Sequence, residues 1–464
     1  MLNQQYDVVV IGGGNAGLCS AISSRQEGAR VLILESAPKF YRGGNTRHTR
    51  NTRCAHDTAS ETLTGPYTEE EYLDDLIRIT AGNTNIELAT KMISESKSFL
   101  PWLSSQGVRF QSALEGTLDL SRTNSFFLGG GRAMLNTLYL TAEKMGIDIF
   151  YDAEVTKLVI RDGFFESLEV NYLGKTHKVI AKAMIAASGG FESNIEWLRE
   201  SWGKAADNFL IRGTPYNKGT ILKMLIHNGA NVIGDPTQCH AVAIDGRAPR
   251  FDGGIITRLD CIIFGIVLNR NAERFYDEGE DTWPKRYAIW GRLVAQQPDQ
   301  IAYVVFDSPC LNKFMPSLYP PLSANTLEGL AKILELDYEK FISTITCFNK
   351  SVQEGDYNPR ILDNCHTKGI DPPKSNWAKK IETPPYYAYP LRPGITFTYL
   401  SVEVNQNAKI VMTNGQPSEN MYAAGEIMAG NILGSGYAAG IGMAIGGTFG
   451  RIAGQQAAIM LNKT

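Results

Sequence analysis

Gly12, Gly14 and Gly17 stand in the spacing G-x-G-x-x-G, and Glu35 closes an apolar run eighteen positions beyond Gly17. Glycines so spaced suit a pyrophosphate. Gly12 permits a tight turn, Gly14 lets backbone approach the phosphates, and Gly17 lets a helix pack closely on a strand. Glu35 can accept ribose hydroxyls, and a carboxylate there disfavours a 2′-phosphate, so NADP is not expected. The elements that must hold these groups are legible. Residues 7–11 are an apolar run, as in a strand buried on both faces of a parallel sheet. A helix is expected over 18–26, its first N–H groups aimed at the phosphates, and a second strand over 31–34.

A chain of 464 residues exceeds one simple core and implies two or three domains. Hydrophobic residues make up 43% and charged residues 20%, the balance of an ordinary globular protein, and a net charge of -3 excludes a strongly basic nucleic-acid binder. The seven cysteines are scattered with no C-x-x-C pair. They are expected to be reduced thiols, and their spacing builds no iron–sulfur cluster. With the first strand expected to begin at residue 7, no secretory leader is expected, nor does any uninterrupted apolar stretch reach the ~18 residues of a membrane span. A cytoplasmic location follows as the expectation.

Further along, Gly43-Gly44-Asn45-Thr46 lies in an arginine-bearing loop directly after the first βα unit, placed to form a second backbone cradle. Helices are expected over 69–81 and 86–106, with Asn83 or Thr84 as the cap between them, and over 132–145 after the loop Gly129-Gly130-Gly131. Strand patterns recur at 148–151, 155–161, 165–172 and 177–182. They lead to Ala187-Ser188-Gly189-Gly190-Phe191 and a long helical region over 194–228. From about 232 the texture changes to strand patterns rich in arginine, with a helical stretch over 322–354. The domain expectation is a first part over 1–231, a capping domain over 232–376, and a return to the first domain over 377–464. In that return, Ala424-Gly425-Glu426 ends a strand and 434–454 enters a glycine-rich helix.

Gly12–Gly17 with Glu35, Gly43-Gly44-Asn45-Thr46, Ala187–Phe191 and Ala424-Gly425-Glu426 together resemble the flavoprotein family of fumarate reductases and succinate dehydrogenases, over nearly the whole chain. The resemblance implies a Rossmann-like α/β FAD-binding domain with an inserted α+β capping domain. It also implies FAD contacts at Gly12, Gly14, Asn15, Ala16, Gly17, Glu35 and Gly43 to Thr46. Further contacts are expected at Gly131, Val155, Gly189, Gly190, Gly425, Glu426 and Ala439. FAD is expected to be non-covalent, since His48 stands about three positions beyond the covalent His of some members, which aligns nearer Asn45.

The stretch Leu268 to Glu278 matches the family's pattern ahead of a proton-delivering Arg, which aligns with Arg286, and a substrate-binding His aligns with His240. Two departures stand out. Thr396 and its neighbours replace a family His-His-Thr, and Tyr437 with its neighbours replaces an Asn-Arg-Leu stretch whose Arg clamps a carboxylate. Both point away from plain fumarate chemistry. The stretch from Tyr41 through Arg42, Arg47, His48, Arg50 and Asn51 is more similar to the tricarballylate dehydrogenases. That implies oxidation of tricarballylate to cis-aconitate, and a separate membrane-bound iron–sulfur protein that takes the electrons and could hold the chain peripherally at the inner membrane. The Gly-x-Gly-Tyr437-x-x-Gly motif resembles ketosteroid dehydrogenases, the alternative reading.

Dehydrogenation beside a carboxylate needs a hydride acceptor, here flavin N5, a group for the second proton, and cations for the carboxylates. Arg286, His240, Glu278 and Tyr437 are the expected catalytic group. Arg247, Arg250, Arg258, Thr257 and Arg392 are the expected substrate contacts, because Arg suits bidentate carboxylate binding. Arg286 carries a physical difficulty: a guanidinium is protonated at ordinary pH and is a poor acid without a proton relay.

Overall fold

The computed structural model describes residues 5–114, 120–251, 257–315, 317–353 and 355–461. Its centre is a six-stranded sheet in the order Lys409–Val411, Pro417–Ala423, Ala181–Ala186, Tyr6–Ile11, Val31–Leu34, Asp148–Phe150. All neighbours are parallel except the outermost pair, Lys409–Val411 against Pro417–Ala423. Val8, Val9 and Val10 are wholly buried, which is why this strand reads as a continuous apolar run. Burying one such side chain contributes ~1.5–3 kcal/mol. Because the chain leaves Tyr6–Ile11 for one neighbour and fills the other side from later sequence, a crevice opens at this strand's carboxyl end.

The helix Asn15–Gln26 starts in that crevice, three residues earlier than the apolar pattern suggests, with Gly14 as its cap. A Cβ on Gly17 would stand 1.9 Å from the Gly12 carbonyl oxygen, so this helix sits on its strand only because position 17 is glycine. The helix Ile441–Leu461 packs along it through Gly450 and Gly454, whose added Cβ atoms would meet the carbonyl oxygens of Ala16 at 2.6 Å and Ser20 at 2.3 Å. A three-stranded antiparallel meander, Glu154–Arg161, Phe164–Tyr172 and Lys175–Val179, extends from the same side.

The second unit is built on a sheet ordered Leu210–Ile211, Tyr386–Thr398, Ala302–Asp307, Ile266–Asn269, with Cys239–Asp245 and Leu322–Ala324 also paired to the long strand Tyr386–Thr398. This pairing carries the cap's sheet past both ends of the expected 232–376. A small core of its own lies under the helices Leu327–Leu334 and Tyr338–Ser351.

Three local expectations are corrected. The region 194–228 is not one helix: Ile195–Trp202 stops at Gly203, which has φ 58°, and a second helix, Thr220–His227, begins only after Gly219 at φ 74°. Between them run the short strand Leu210–Ile211 and a loop through Arg212, Gly213 and Pro215. The stretch expected as helix over 322–354 opens as a strand and breaks again at Glu335, which is left-handed at φ 55°; residue 354 lies outside the described residues. The cap of the helix Ile86–Ser105 is Asn85, whose Oδ1 accepts from Leu88 N at 3.1 Å, rather than Asn83 or Thr84.

Candidate active site

A continuous cavity runs from Glu35 at one end to Tyr437 and Trp283 at the other, between the two units. Its first stretch is backbone. Gly12 turns at φ 107° with Ala187 O where a Cβ would be 2.3 Å away, and Gly43 and Gly44 are also left-handed. Thr46 ties this loop to the helix start by accepting from Asn15 N at 3.0 Å. Buried Glu35 accepts from the N–H groups of Gly13 at 3.2 Å, Ala37 at 3.0 Å and Gly43 at 3.1 Å, which fixes both oxygens at the cavity wall. Burial still leaves its carboxyl above the ordinary value.

The middle of the cavity is backed by two buried carboxyls. Asn45 Nδ2 donates to Glu192 Oε1 at 2.5 Å, and Asn217 Nδ2 donates to the same oxygen at 2.7 Å. Thr398 N donates to Glu426 Oε1 at 2.8 Å. Burial pushes Glu192 up to about 7, and burial together with the neighbouring Glu192 holds Glu426 well above the carboxylate range. Gly190 seals this packing: a Cβ there would sit 2.1 Å from Thr398 Oγ1.

The far end carries rings and cations. His240 stacks on Tyr437, with centroids 3.7 Å and planes 1° apart, and stands edge-on to Tyr287 at 5.8 Å. Its Nδ1 is buried without a hydrogen-bond partner. Burial, and then the Arg212 charge, hold its pKa well below 6.5. Arg212 is buried; it donates to Thr396 Oγ1 at 3.3 Å and His48 O at 3.4 Å, and its Nε has no partner. No carboxylate among the described residues pairs with it. Arg258 pairs with Asp260 at 2.7 Å, lies 4.8 Å over the Tyr287 ring, and shares Asp260 with Trp283 Nε1, which donates at 2.8 Å. Arg50 also lines the cavity, its guanidinium donating to Met315 Sδ at 3.4 Å. The Tyr437 hydroxyl is fixed by Gly442 N at 3.2 Å and is held protonated by burial.

Of the residues expected from sequence, Gly12, Gly14, Asn15, Ala16, Glu35, Gly43 to Thr46, Val155, Gly189, Gly425, Glu426 and Ala439 line this cavity, as do His240, Arg258 and Tyr437. Gly17, Gly131 and Gly190 stand one layer behind, where they permit close packing; a Cβ on Gly131 would be 2.0 Å from Thr46 O.

The remaining expected residues lie elsewhere. Arg286 is not among the residues lining the cavity; it pairs with Glu280 at 2.9 Å while its Nε is buried without a partner, and the next residue, Tyr287, lines the cavity. Glu278 is consumed by Arg274 at 2.5 Å and by Val267 N at 2.8 Å, a buried structural pair. Arg247 folds back on Asp245 at 2.6 Å, and Arg250 donates to Asp207 O. Arg392 donates to Asp299 O and to Gln300 O at 3.1 Å. Thr257 is buried outside the lining. Each of these arginines has a local acceptor away from the cavity. The residues sequence reasoning missed are Arg212, Tyr287, Trp283, Glu192 and Asn217. The breakers Gly213, Pro215 and Gly219 were the signal that 212–217 is a loop rather than part of a helix.

Among the described residues no cluster of His, Cys, Asp or Glu could hold a metal ion, and no helix is long and apolar enough to cross a membrane.

The FAD binding domain family matches residues 7–443. The NADH:fumarate oxidoreductase of Klebsiella pneumoniae (strain 342) is 25% identical over 466 residues, covering 98% of this chain and 48% of the relative, so the chain spans about half that protein's length. The probable fumarate reductase Ifc3 of Shewanella frigidimarina (strain NCIMB 400) is 26% identical, covering 98% of this chain and 75% of the relative. An open conformation of a flavocytochrome c3 fumarate reductase superposes with a TM-score of 0.78 at 23% identity, covering 99% of this chain and 79% of that one. The 3-ketosteroid-Δ4-(5α)-dehydrogenase of Rhodococcus jostii RHA1 gives 0.75 at 22%, covering 98% and 97%.

FAD fits the residues present. A Cβ on Gly14 would meet nothing nearer than Thr46 Oγ1 at 3.4 Å and Gly43 O at 3.5 Å, and Gly14 lines the cavity, so bare backbone is presented where a pyrophosphate must be received. Glu35 and Glu426 stand at separate points of the same cavity for two sets of hydroxyls. A glycine-lined cavity built at the carboxyl end of a parallel sheet, and a family match over most of its length, make this chain a member of the FAD binding domain family, with FAD as its cofactor.

Proposed function

We propose that the chain is an FAD-dependent dehydrogenase acting on a CH–CH bond of a small polycarboxylate, oxidising tricarballylate to cis-aconitate and passing the electrons to a separate membrane-bound iron–sulfur protein. The observation that carries this reading is Arg212, a buried guanidinium in the wall of the cofactor cavity with no carboxylate partner among the described residues. A buried cation left in this state is costly until an anion meets it. Arg258 and Arg50 add two more guanidiniums to the same cavity, matching a substrate with three carboxylates. The oxidoreductase names of the relatives support the reaction class.

Bound FAD supplies the hydride acceptor. The protein's side chains orient the substrate and move the second proton. Arg212 takes one carboxylate, and Arg258, braced by Asp260, takes another. His240 is neutral and lines the cavity, and its imidazole is the acceptor for the proton leaving the neighbouring carbon. A substrate carboxylate on Arg212 cancels the charge that opposes an imidazolium, so binding itself raises the basicity of His240. Arg286, paired with Glu280 and outside the cavity lining, has no part in this scheme.

The walls of Tyr437, Tyr287 and Phe397 favour a second reading, a carbonyl substrate polarised by the Tyr437 hydroxyl. Anaerobic mixing of the holoprotein with tricarballylate, succinate and a 3-ketosteroid separates the two. Loss of the oxidised flavin band is expected with tricarballylate. Bleaching by the ketosteroid alone would establish the second reading instead.

A further inference from the structure

Outside the cofactor cavity, Lys39, Arg42, Arg47 and Arg132 line a recess around Phe40. Among the described residues none of the four pairs with a carboxylate. Arg42 donates to the Tyr151 hydroxyl at 3.1 Å and Asn136 Oδ1 at 3.0 Å, Arg47 donates to Phe40 O at 3.0 Å, and Arg132 lies 5.3 Å over the Phe40 ring. Neutral acceptors and ring faces hold the guanidiniums in place while leaving their charge uncompensated. Phe40 is 65% exposed and Tyr41 39% exposed. A small-anion site has no use for a projecting phenylalanine, whereas arginines set around exposed aromatics are the composition of a protein interface.

The recess and the cofactor cavity share a wall. The turn Gly44–His48 presents Asn45 and Thr46 to the cavity, and Arg47 lines the recess. Leu135, in the floor of the recess, would be 2.5 Å from a Cβ on Gly43, which lines the cavity. In the proposed reaction two electrons leave the substrate per turnover, and a separate oxidant must take them.

We infer that this recess docks an acidic surface of the redox protein that accepts those electrons; the electron-accepting role rests on the proposed function, the docking does not. Opposite charge steers such encounters, and a partner seated here lies one backbone turn from the cofactor cavity.

The test is calorimetric titration of the oxidised holoprotein with an acidic [2Fe–2S] ferredoxin, with no substrate present. A complex is expected at low salt, weakened on the order of tenfold at high salt. It should be lost in the Arg47→Glu/Arg132→Glu variant, kept in Arg47→Lys/Arg132→Lys, and kept in Lys332→Glu, a control on the exposed face of another helix. An unchanged flavin spectrum establishes that the variants are folded. Absence of a complex at low salt, or equal loss in the Lys332 control, would overturn the inference. So would pyrophosphate, or vesicles of anionic phospholipid, binding at micromolar concentration through the same two arginines. Failure of tricarballylate to bleach the flavin would sink the proposed substrate and leave this result standing.

Discussion

The imidazole of His240 lies flat on the ring of Tyr437, 3.7 Å between centroids and 1° from parallel. That contact buries the imidazole, and the burial, with Arg212 nearby, keeps it neutral. In the substrate-free holoprotein the His240 Cε1–H resonance should therefore not titrate between about pH 6 and 8. Saturating substrate, by pairing with Arg212, should shift the titration upward. A midpoint near the ordinary histidine value before substrate is added would overturn the buried, charge-opposed state assigned to His240.

Arg212→Ala should lower kcat/KM by about 100- to 1000-fold, the cost of leaving a substrate carboxylate unpaired in a closed site. FAD should remain bound. The variant should unfold no more easily than the parent, since a buried unpaired charge has been removed. Arg286→Ala, by contrast, should change kcat/KM by less than about threefold, as expected of a half-buried ion pair outside the cavity lining. Steady-state kinetics on the two variants decides between the structural placement and the alignment.

Glu192 and Glu426 make the flavin-free protein sensitive to pH. Both carboxyls are raised in the folded state, Glu192 to about 7. Below about pH 4.5 folded and unfolded chains are both protonated, and the contribution is fully present; as pH rises through 7 the folded state loses its proton and the contribution fades. Across that window Glu192 accounts for at most about 3 kcal/mol. Urea unfolding at several pH values should show the decline in the parent, and the Glu192→Gln variant should flatten it. Equal slopes would mean that Glu192 is not raised in the folded state.

Gly14 and Gly17 belong to one motif but should fail differently. Position 14 has room for a methyl group in the protein alone, so Gly14→Ala should fold and lose FAD affinity. Position 17 has the Gly12 carbonyl oxygen 1.9 Å from any Cβ, so Gly17→Ala should destabilise the fold itself by at least ~2 kcal/mol. Thermal melts with and without added FAD distinguish the two.

The FAD half of the site was legible because its chemistry is carried by local sequence. A glycine at positive φ, a helix start and a strand-ending acid all fall within one βα unit, and the structure places Gly12, Glu35, Gly43 and Glu426 on one cavity. The substrate half was legible only in part. His240, Tyr437 and Arg258 line the cavity, but counting arginines could not tell those with a local acceptor from those without. Arg247 has Asp245 two residues away, and Arg286 has Glu280 six residues away. Arg212 escaped notice because the apolar spacing around it resembles a helix, whereas Gly203, Gly213 and Pro215 break the chain into a strand and a loop. Pairing across the cap was likewise hidden, since Tyr386–Thr398 meets strands from far upstream.

The sheet that carries the glycine turn takes its strand Pro417–Ala423 from more than two hundred residues beyond Ala181–Ala186, and its covering helix, Ile441–Leu461, comes later still. On a ribosome adding roughly 5–20 residues per second, the first half of the cofactor site therefore waits at least ten seconds or so for its second half. During that wait Ala181–Ala186 is an open apolar edge and Asn15–Gln26 an uncovered helix. Flavin can be loaded only once nearly all of the chain has been made, and the nascent amino-terminal half is the species that most needs protection by chaperones.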